Sequence, residues 1–142
     1  MPQNLKLHYD INGSDFTIAG QASSNIKKVL KQLGVAPGII RKAAISMYEG
    51  EINTVIHGKG GTADVEIMPD KLIITFTDHG PGIRDIEQAM QEGFSTATNE
   101  ARELGFGAGM GLPNMKKYSD ELNITSTPGE GTTVEIIILL SE

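Results

Sequence analysis

The pair Glu49 and Asn53 has the residue types of a site that handles a cation and a proton. The two residues are four positions apart in a segment with helical periodicity. On a helix they would lie about 40° apart around the axis, and therefore on one face. An amide oxygen is a hard ligand suited to Mg²⁺, and a carboxylate could accept the proton of an attacking hydroxyl. Two solvated polar residues on a helix edge are the alternative interpretation of this pair taken alone.

A second segment places Asp78 before two spaced glycines, Gly80 and Gly82, directly after a strand predicted at residues 72–77. A carboxylate at a strand end can face a flat ligand while the glycine backbone passes close beside it. The amino group of adenine is a natural donor to such a carboxylate. An ordinary glycine-proline turn that begins with Asp is the alternative interpretation.

A third segment, residues 105–112, has glycine at every second position and leads into a predicted helix. Free backbone amides of this kind can surround phosphates, and the positive end of the following helix would point at the same place. No window of the segment fits G-x-G-x-x-G, and the chain has no G-x-x-x-x-G-K-[ST], so a Rossmann fingerprint and a P-loop are both excluded. A flexible linker is a weak alternative, because Met110 and Leu112 resume an apolar pattern at once.

Composition excludes several other classes of chemistry and partner. With 12 basic and 18 acidic residues the formal charge is −6, so no basic field could hold nucleic acid or an anionic membrane. There is no cysteine, the three histidines have no metal-ligand spacing, and Ser95 has no histidine nearby for a nucleophilic triad. Residues 1–6 are no signal peptide, and no apolar run approaches the length of a membrane span. We therefore expect a cytoplasmic protein with no direct nucleic-acid or membrane partner.

The elements that would position these residues follow from periodicity and turn signals. Ser23 or Ser24 is expected to cap a first helix, and a second helix is predicted over residues 39–57. The apolar arc of the second helix is predicted to be Ala44, Ile45, Tyr48, Ile52, Val55 and Ile56. The predicted strands are residues 5–11, 16–18, 63–68, 72–77, 122–127 and 132–140. Further helices are predicted at residues 83–91 and 111–119, with an irregular segment at 92–109 between them.

Neighbouring strands joined by tight turns imply a mixed, mostly antiparallel sheet with helices covering one face. The predicted fold class is therefore a two-layer α/β (α+β) sandwich. No repeat, linker or low-complexity tract interrupts the chain, so residues 1–142 are predicted to form a single domain.

In this order, the motifs resemble those of the GHKL, or Bergerat-fold, ATPases. Glu49 and Asn53 match the N box, Asp78 to Gly82 the G1 box, residues 105–112 the G2 box, and Gly131-Thr132 the terminal motif. Residues 78–87, 93–96, 109–115, 120–121 and 129–134 look like those of the stand-alone serine/threonine kinases of the anti-sigma-factor class. The alternating-glycine pattern blends forms found in anti-sigma kinases and in related stress-pathway switch kinases.

The resemblance implies that Asn53 ligates Mg²⁺, that Asp78 bonds the adenine and that Glu49 is the catalytic base. Thr132 would lie behind the adenine, and the G2 segment would hold the phosphates of ATP as a lid. The whole set of ATP-binding residues implied in this way is Asn53, Asp78, Gly80, Gly82, Ile83, Gly105, Phe106, Gly107, Ala108, Gly109, Met110, Gly111, Leu112 and Thr132.

The implied function is ATP-dependent phosphorylation of a serine or threonine on a small anti-anti-sigma (STAS) protein. Sequestration of a sigma factor and a homodimer are further expectations that the resemblance leaves open. Two alternatives also stay open: a detached histidine-kinase catalytic domain, and a nucleotide-gated module that binds a partner without chemistry.

Overall fold

A computed structural model describes residues 4–12, 20–56, 60–80, 111–127 and 129–140. For residues 56, 111 and 112 it describes only the backbone. The elements in chain order are β1 (Leu5–Asn12), α1 (Gln21–Gln32), α2 (Pro37–Ile56), β2 (Gly60–Ile67), β3 (Lys71–Asp78), α3 (Gly111–Lys117), β4 (Glu121–Thr127) and β5 (Gly131–Leu139).

The described strands form one five-stranded sheet in the order β1-β2-β3-β5-β4. Each of its four neighbouring pairs is antiparallel. The central strand β3 pairs with β2 on one side and with β5 on the other, although β5 lies more than fifty residues further along the chain. The predicted antiparallel sheet is therefore confirmed, and its register decides which residues meet at each end.

Helices cover one face of this sheet, as the predicted two-layer sandwich requires. Side chains of β3 alternate strictly, with Leu72, Ile74 and Phe76 buried and their neighbours half-exposed. The central helix α2 lies over this buried face, and α1 and α3 both pack against α2. Burial of one face of the sheet against one face of the helices produces the core.

The buried face of α2 agrees with the predicted arc at Ile52 and Val55 and differs from it at Tyr48. Ala43 and Met47 are fully buried, whereas Tyr48 remains 39% exposed, so the prediction for Tyr48 was wrong. Gly50 explains the rotation, because a Cβ atom there would lie 2.3 Å from the Phe76 ring. The helix can approach the sheet this closely only along the side that carries Gly50.

The start of α1 also differs from the prediction. The helix begins at Gln21, and its N-cap residue is Gly20, with φ 103° and no side-chain cap of its own. Neither Ser23 nor Ser24 is the N-cap, so that prediction was wrong. The Ser23 hydroxyl instead donates to the Gly20 carbonyl at 3.0 Å.

A carboxylate from another helix satisfies the free amides at this helix start. Glu51 of α2 accepts hydrogen bonds from the backbone N–H groups of Gly20 at 2.9 Å, Ala22 at 3.1 Å and Ser23 at 3.1 Å. Its side chain is buried, with 4% exposure for the residue. Three donors and the positive end of a helix can hold a charge there without water.

The remaining predicted elements are confirmed where the structure describes them, and their ends coincide with the prediction or differ from it by up to three residues. The predicted strand at 16–18, the helix at 83–91 and the irregular segment at 92–109 lie outside the described residues. Within the described part of the chain, no helix is long and apolar enough to cross a membrane.

Candidate functional site

The antiparallel pairing of β3 with β5 brings Asp78 directly opposite Thr132. One carboxylate oxygen of Asp78 accepts the backbone N–H of Gly80 at 2.9 Å, which fixes the side chain at the end of its strand. Gly131 has φ 134°, and a Cβ atom there would lie 2.1 Å from the Asp78 carbonyl oxygen. Glycine at position 131 therefore lets the start of β5 pass against the backbone of Asp78.

Thr132 is buried at 6% exposure, and β4 holds its hydroxyl in place. The hydroxyls of Ser126 and Thr132 share a hydrogen bond of 2.9 Å. Ser126 also donates to the carbonyl of Gly131 at 3.1 Å. Ser126 was missed in the sequence, because only the register of β4 against β5 places it beside Thr132.

The close contact between Gly50 and Phe76 anchors α2 over the end of β3 that carries Asp78. Phe76 is two residues before Asp78, and Glu49 is the residue next to Gly50. Glu49 and Asn53 are both half-buried and one helical turn apart on α2. The two predicted residues therefore lie on one helical face, as their spacing indicated.

The environment of Glu49 suits a proton acceptor. Partial burial raises the pKa of its carboxyl above the ordinary value, and a hydrogen bond from Asn114 opposes part of that rise. The Asn114 amide nitrogen donates to Glu49 Oε2 at 2.9 Å. A carboxylate with a raised pKa is a stronger base than a solvated one, as long as it is ionised at the working pH.

Helix α3 supplies Asn114, and polar contacts with α2 hold the end of this helix. The Ser46 hydroxyl donates to the carbonyl of Tyr118 at 2.7 Å, and Lys42 pairs with Asp120 at 2.7 Å. Asn114 is not among the site residues predicted from the sequence, although it lies in the stretch 109–115 that resembles the kinases of the anti-sigma-factor class. Proximity to Glu49, 65 residues earlier, is visible only in the folded chain.

Several predicted site residues cannot be placed in the same way. Gly111 and Leu112 begin α3, where only the backbone is described. The other predicted ATP-binding residues lie outside the described part: Gly82, Ile83, Gly105, Phe106, Gly107, Ala108, Gly109 and Met110.

The donors and acceptors that are described suit an adenine nucleotide with a divalent cation. Asp78 uses one oxygen for Gly80, and its second oxygen has no partner among the described residues. The Asn53 side chain makes no hydrogen bond to another described residue. The described residues also contain no cluster of three or more His, Cys, Asp or Glu side chains that could hold a metal ion by themselves. A cation held through one amide oxygen would take its other ligands from phosphate and water, which is how Mg²⁺ is commonly bound.

Comparison with known proteins finds relatives of similar sequence. An anti-sigma F factor of Thermoanaerobacter sp. (strain X514) is 42% identical over 100 residues, which are 67% of this chain and 65% of that protein. The match thus spans just under two thirds of that relative's length. The serine/threonine-protein kinase RsbT of Bacillus subtilis (strain 168) is 34% identical over 129 residues, or 87% of each chain.

Solved structures share the fold at low sequence identity. The RsbU and RsbW domains of a Mycobacterium tuberculosis protein align with a TM-score of 0.67 at 17% identity, covering 97% of this chain and 33% of that one. The SiaB-SiaC complex from Pseudomonas aeruginosa aligns with a TM-score of 0.63 at 13% identity, covering 93% of this chain and 88% of the other. These two alignments concern the fold alone.

The sequence of this chain also matches the model of a protein family. The model of the histidine kinase-, DNA gyrase B- and HSP90-like ATPases matches residues 43–142, a range that includes Glu49, Asn53, Asp78 and Thr132. Since the match covers well over half of the chain, this protein belongs to the histidine kinase-, DNA gyrase B- and HSP90-like ATPase family.

Proposed function

We propose that this protein is an ATP- and Mg²⁺-dependent serine/threonine protein kinase of the anti-sigma-factor type, and that its substrate is a small STAS protein. The observation that carries the proposal is the half-buried Glu49, one helical turn from Asn53 on a helix anchored beside Asp78. The names of the relatives, an anti-sigma F factor and a serine/threonine-protein kinase, support the same activity.

In this proposal the nucleotide lies at the ends of β3 and β5. The oxygen of Asp78 that has no partner among the described residues accepts the adenine amino group, while the buried Thr132 lies behind the base. The predicted glycine-rich segment at 105–111 supplies backbone N–H groups to the phosphates. Main-chain donors suit a protein of net charge −6, because they bind phosphate without requiring a basic surface.

Phosphoryl transfer depends mainly on positioning and on neutralisation of charge. Mg²⁺ bound at the Asn53 amide would neutralise phosphate charge. Glu49, as the ionised carboxylate, accepts the proton of the serine or threonine hydroxyl as the hydroxyl oxygen attacks the γ-phosphorus of ATP. The bond from that phosphorus to the bridging oxygen of the β-phosphate breaks, and ADP leaves. Partial burial keeps water away from this carboxylate and strengthens its interaction with the hydroxyl.

The partners are part of the proposal. The principal partner is a STAS protein that presents the acceptor hydroxyl, and a sigma factor is a second partner that the protein sequesters. We also propose a homodimer and a cytoplasmic location, where ATP and both partners are available. The name of the relatives, anti-sigma F factor, supports the sigma-factor partner.

The test is transfer of labelled phosphate from ATP, with Mg²⁺, to purified STAS proteins from the same genome. We expect an acid-stable phosphoserine or phosphothreonine on one of them. Acid-labile product would indicate phosphohistidine instead, and no transfer to any STAS protein would refute the kinase proposal.

A variant of the base separates binding from chemistry. Glu49→Gln should leave ATP affinity within about threefold and lower the transfer rate by about 100-fold or more, as expected for loss of a general base. Glu66→Gln is the matched control, because this side chain lies on β2 and bonds only Asn4 among the described residues. Undiminished transfer by Glu49→Gln would show that Glu49 is not the base.

A further inference from the structure

We propose that Asn114 is a positioning residue, which orients the carboxylate of Glu49 for proton transfer. The inference rests on the proposed function, because it assumes that Glu49 is the base. The observation behind it is the hydrogen bond of 2.9 Å from the Asn114 amide nitrogen to Glu49 Oε2. Among the described residues, no other side chain or backbone group donates a hydrogen bond to the Glu49 carboxylate.

A single donor has a large effect on a carboxylate in this position. A free glutamate side chain has three rotatable bonds, and fixing it costs about 1.5–2 kcal/mol of conformational freedom. A bond from Asn114 to Oε2 fixes the carboxylate before the substrate arrives and leaves Oε1 to accept the proton. Preorganisation of this kind matters because a displacement of about 1 Å can cost about 100-fold in rate.

Asn114 can serve as a fixed reference because the helix that carries it is firmly attached to α2. The next residue, Met115, is fully buried in the hydrophobic core. At the end of α3, the Ser46 hydroxyl bonds the carbonyl of Tyr118. Asn114 and Glu49 therefore lie on two helices, α3 and α2. The relative position of these helices is set by core packing and by the Ser46–Tyr118 hydrogen bond, both independent of the Asn114–Glu49 bond.

An ordinary interhelical hydrogen bond is the competing explanation, and it makes a different prediction. Loss of a purely structural bond would lower stability and leave the rate of transfer per folded molecule unchanged. Loss of a positioning bond lowers kcat at saturating ATP, and only when Glu49 is present to be positioned.

The test uses Asn114→Leu, which keeps the approximate shape of the side chain and removes the donor. We expect kcat for transfer to the STAS protein to fall about 10- to 100-fold, with the Kd for Mg-ATP changed less than about twofold. Asn114→Gln, which retains an amide donor, should recover to within about fivefold of wild type. The matched control is Asn123→Leu, since the Asn123 amide also bonds carboxylates, Glu121 at 2.8 Å and Glu135 at 3.0 Å, on the exposed face of the sheet.

A double-mutant cycle with Glu49→Gln decides between the two explanations. We expect Asn114→Leu to cause no further loss in the Glu49→Gln background, measured as residual transfer in long incubations with labelled ATP. An equal loss in both backgrounds, or a kcat within twofold of wild type for Asn114→Leu, would overturn the inference. If Asn114→Leu does not fold, Asn114→Ala, which removes the donor without adding a charge, takes its place with the same expectations.

The outcomes separate this inference from the function on which it rests. If Glu49→Gln abolishes transfer and Asn114→Leu is fully active, only the positioning role fails. If Glu49→Gln is as active as wild type, or wild type transfers no phosphate, the proposed function fails and the positioning role with it.

Discussion

Replacement of Glu51 by alanine should destabilise the protein far more than a surface glutamate would. The carboxylate accepts three backbone N–H groups at the start of α1, at 2.9, 3.1 and 3.1 Å. Glu51→Ala leaves these donors without a partner in a mostly buried place, where Ala22 and Ser23 are each only 6% exposed. The loss therefore combines an N-cap with a buried, charge-assisted hydrogen-bond network.

The magnitude follows from typical values for such contacts. A hydrogen bond to a charged group contributes about 1.5–3 kcal/mol, and an N-cap side chain about 0.5–2 kcal/mol. The three bonds share one carboxylate and are not additive, and water can enter the space left by the side chain. We expect a loss of about 3–4 kcal/mol, a large part of the 5–15 kcal/mol that is typical for a whole domain.

The assay is urea unfolding monitored by circular dichroism, with linear extrapolation to water. At about 3 °C per kcal/mol, the melting temperature should also fall by about 10 °C. Glu51→Gln keeps one acceptor oxygen and the side-chain shape, so it should lose only about 1–2 kcal/mol. Glu66→Ala on β2 is the control, with an expected loss below about 0.5 kcal/mol.

Two results would refute this reasoning. One is a loss for Glu51→Ala below about 1 kcal/mol, or equal to that of Glu66→Ala. The other is a larger loss for Ser24→Ala than for Glu51→Ala, because Ser24 is exposed and should be a neutral position.

Three further predictions concern the site and its supports. Gly131→Ala should lower the free energy of unfolding by about 2 kcal/mol or more and weaken ATP binding, because the new Cβ would collide with the Asp78 carbonyl in a left-handed backbone conformation. Calorimetry measures the binding, and an unchanged ATP affinity would contradict the close approach of the two backbones. The hydrogen bond from Lys42 lowers the pKa of Asp120, so this pair adds stability at neutral pH that is lost as the pH falls through the folded-state pKa. Lys42→Met should therefore cost about 1 kcal/mol or less at pH 7, and the difference from wild type in urea titrations should shrink below about pH 4. Because burial raises the pKa of Glu49, the acid limb of the transfer rate should lie above the ordinary glutamate range, and it should be absent from the residual rate of Glu49→Gln.

The sequence by itself determined the features that depend on local patterns. Alternation of apolar residues predicted the described strands to within a few positions, because neighbouring side chains of a strand point to opposite faces. The order of Glu49-Asn53, Asp78-Gly80, the alternating glycines and Gly131-Thr132 predicted the family, and the family match confirmed it. The ATP-binding roles of these residues, and the placement of the glycine-rich segment, stay predictions.

Only the tertiary structure decided which groups meet across long separations in the chain. The register of β3 with β5 places Asp78 opposite Thr132, and strand periodicity alone says nothing about register. The inward face of α2 was mispredicted at Tyr48, because the approach of Gly50 to Phe76 sets the rotation of the helix. Glu51 replaced the serines expected to cap α1, and Asn114 reached Glu49, since hydrogen-bond partners are chosen by proximity in space. Helical and strand periods arise within a few residues, whereas these contacts exist only after the whole core has packed.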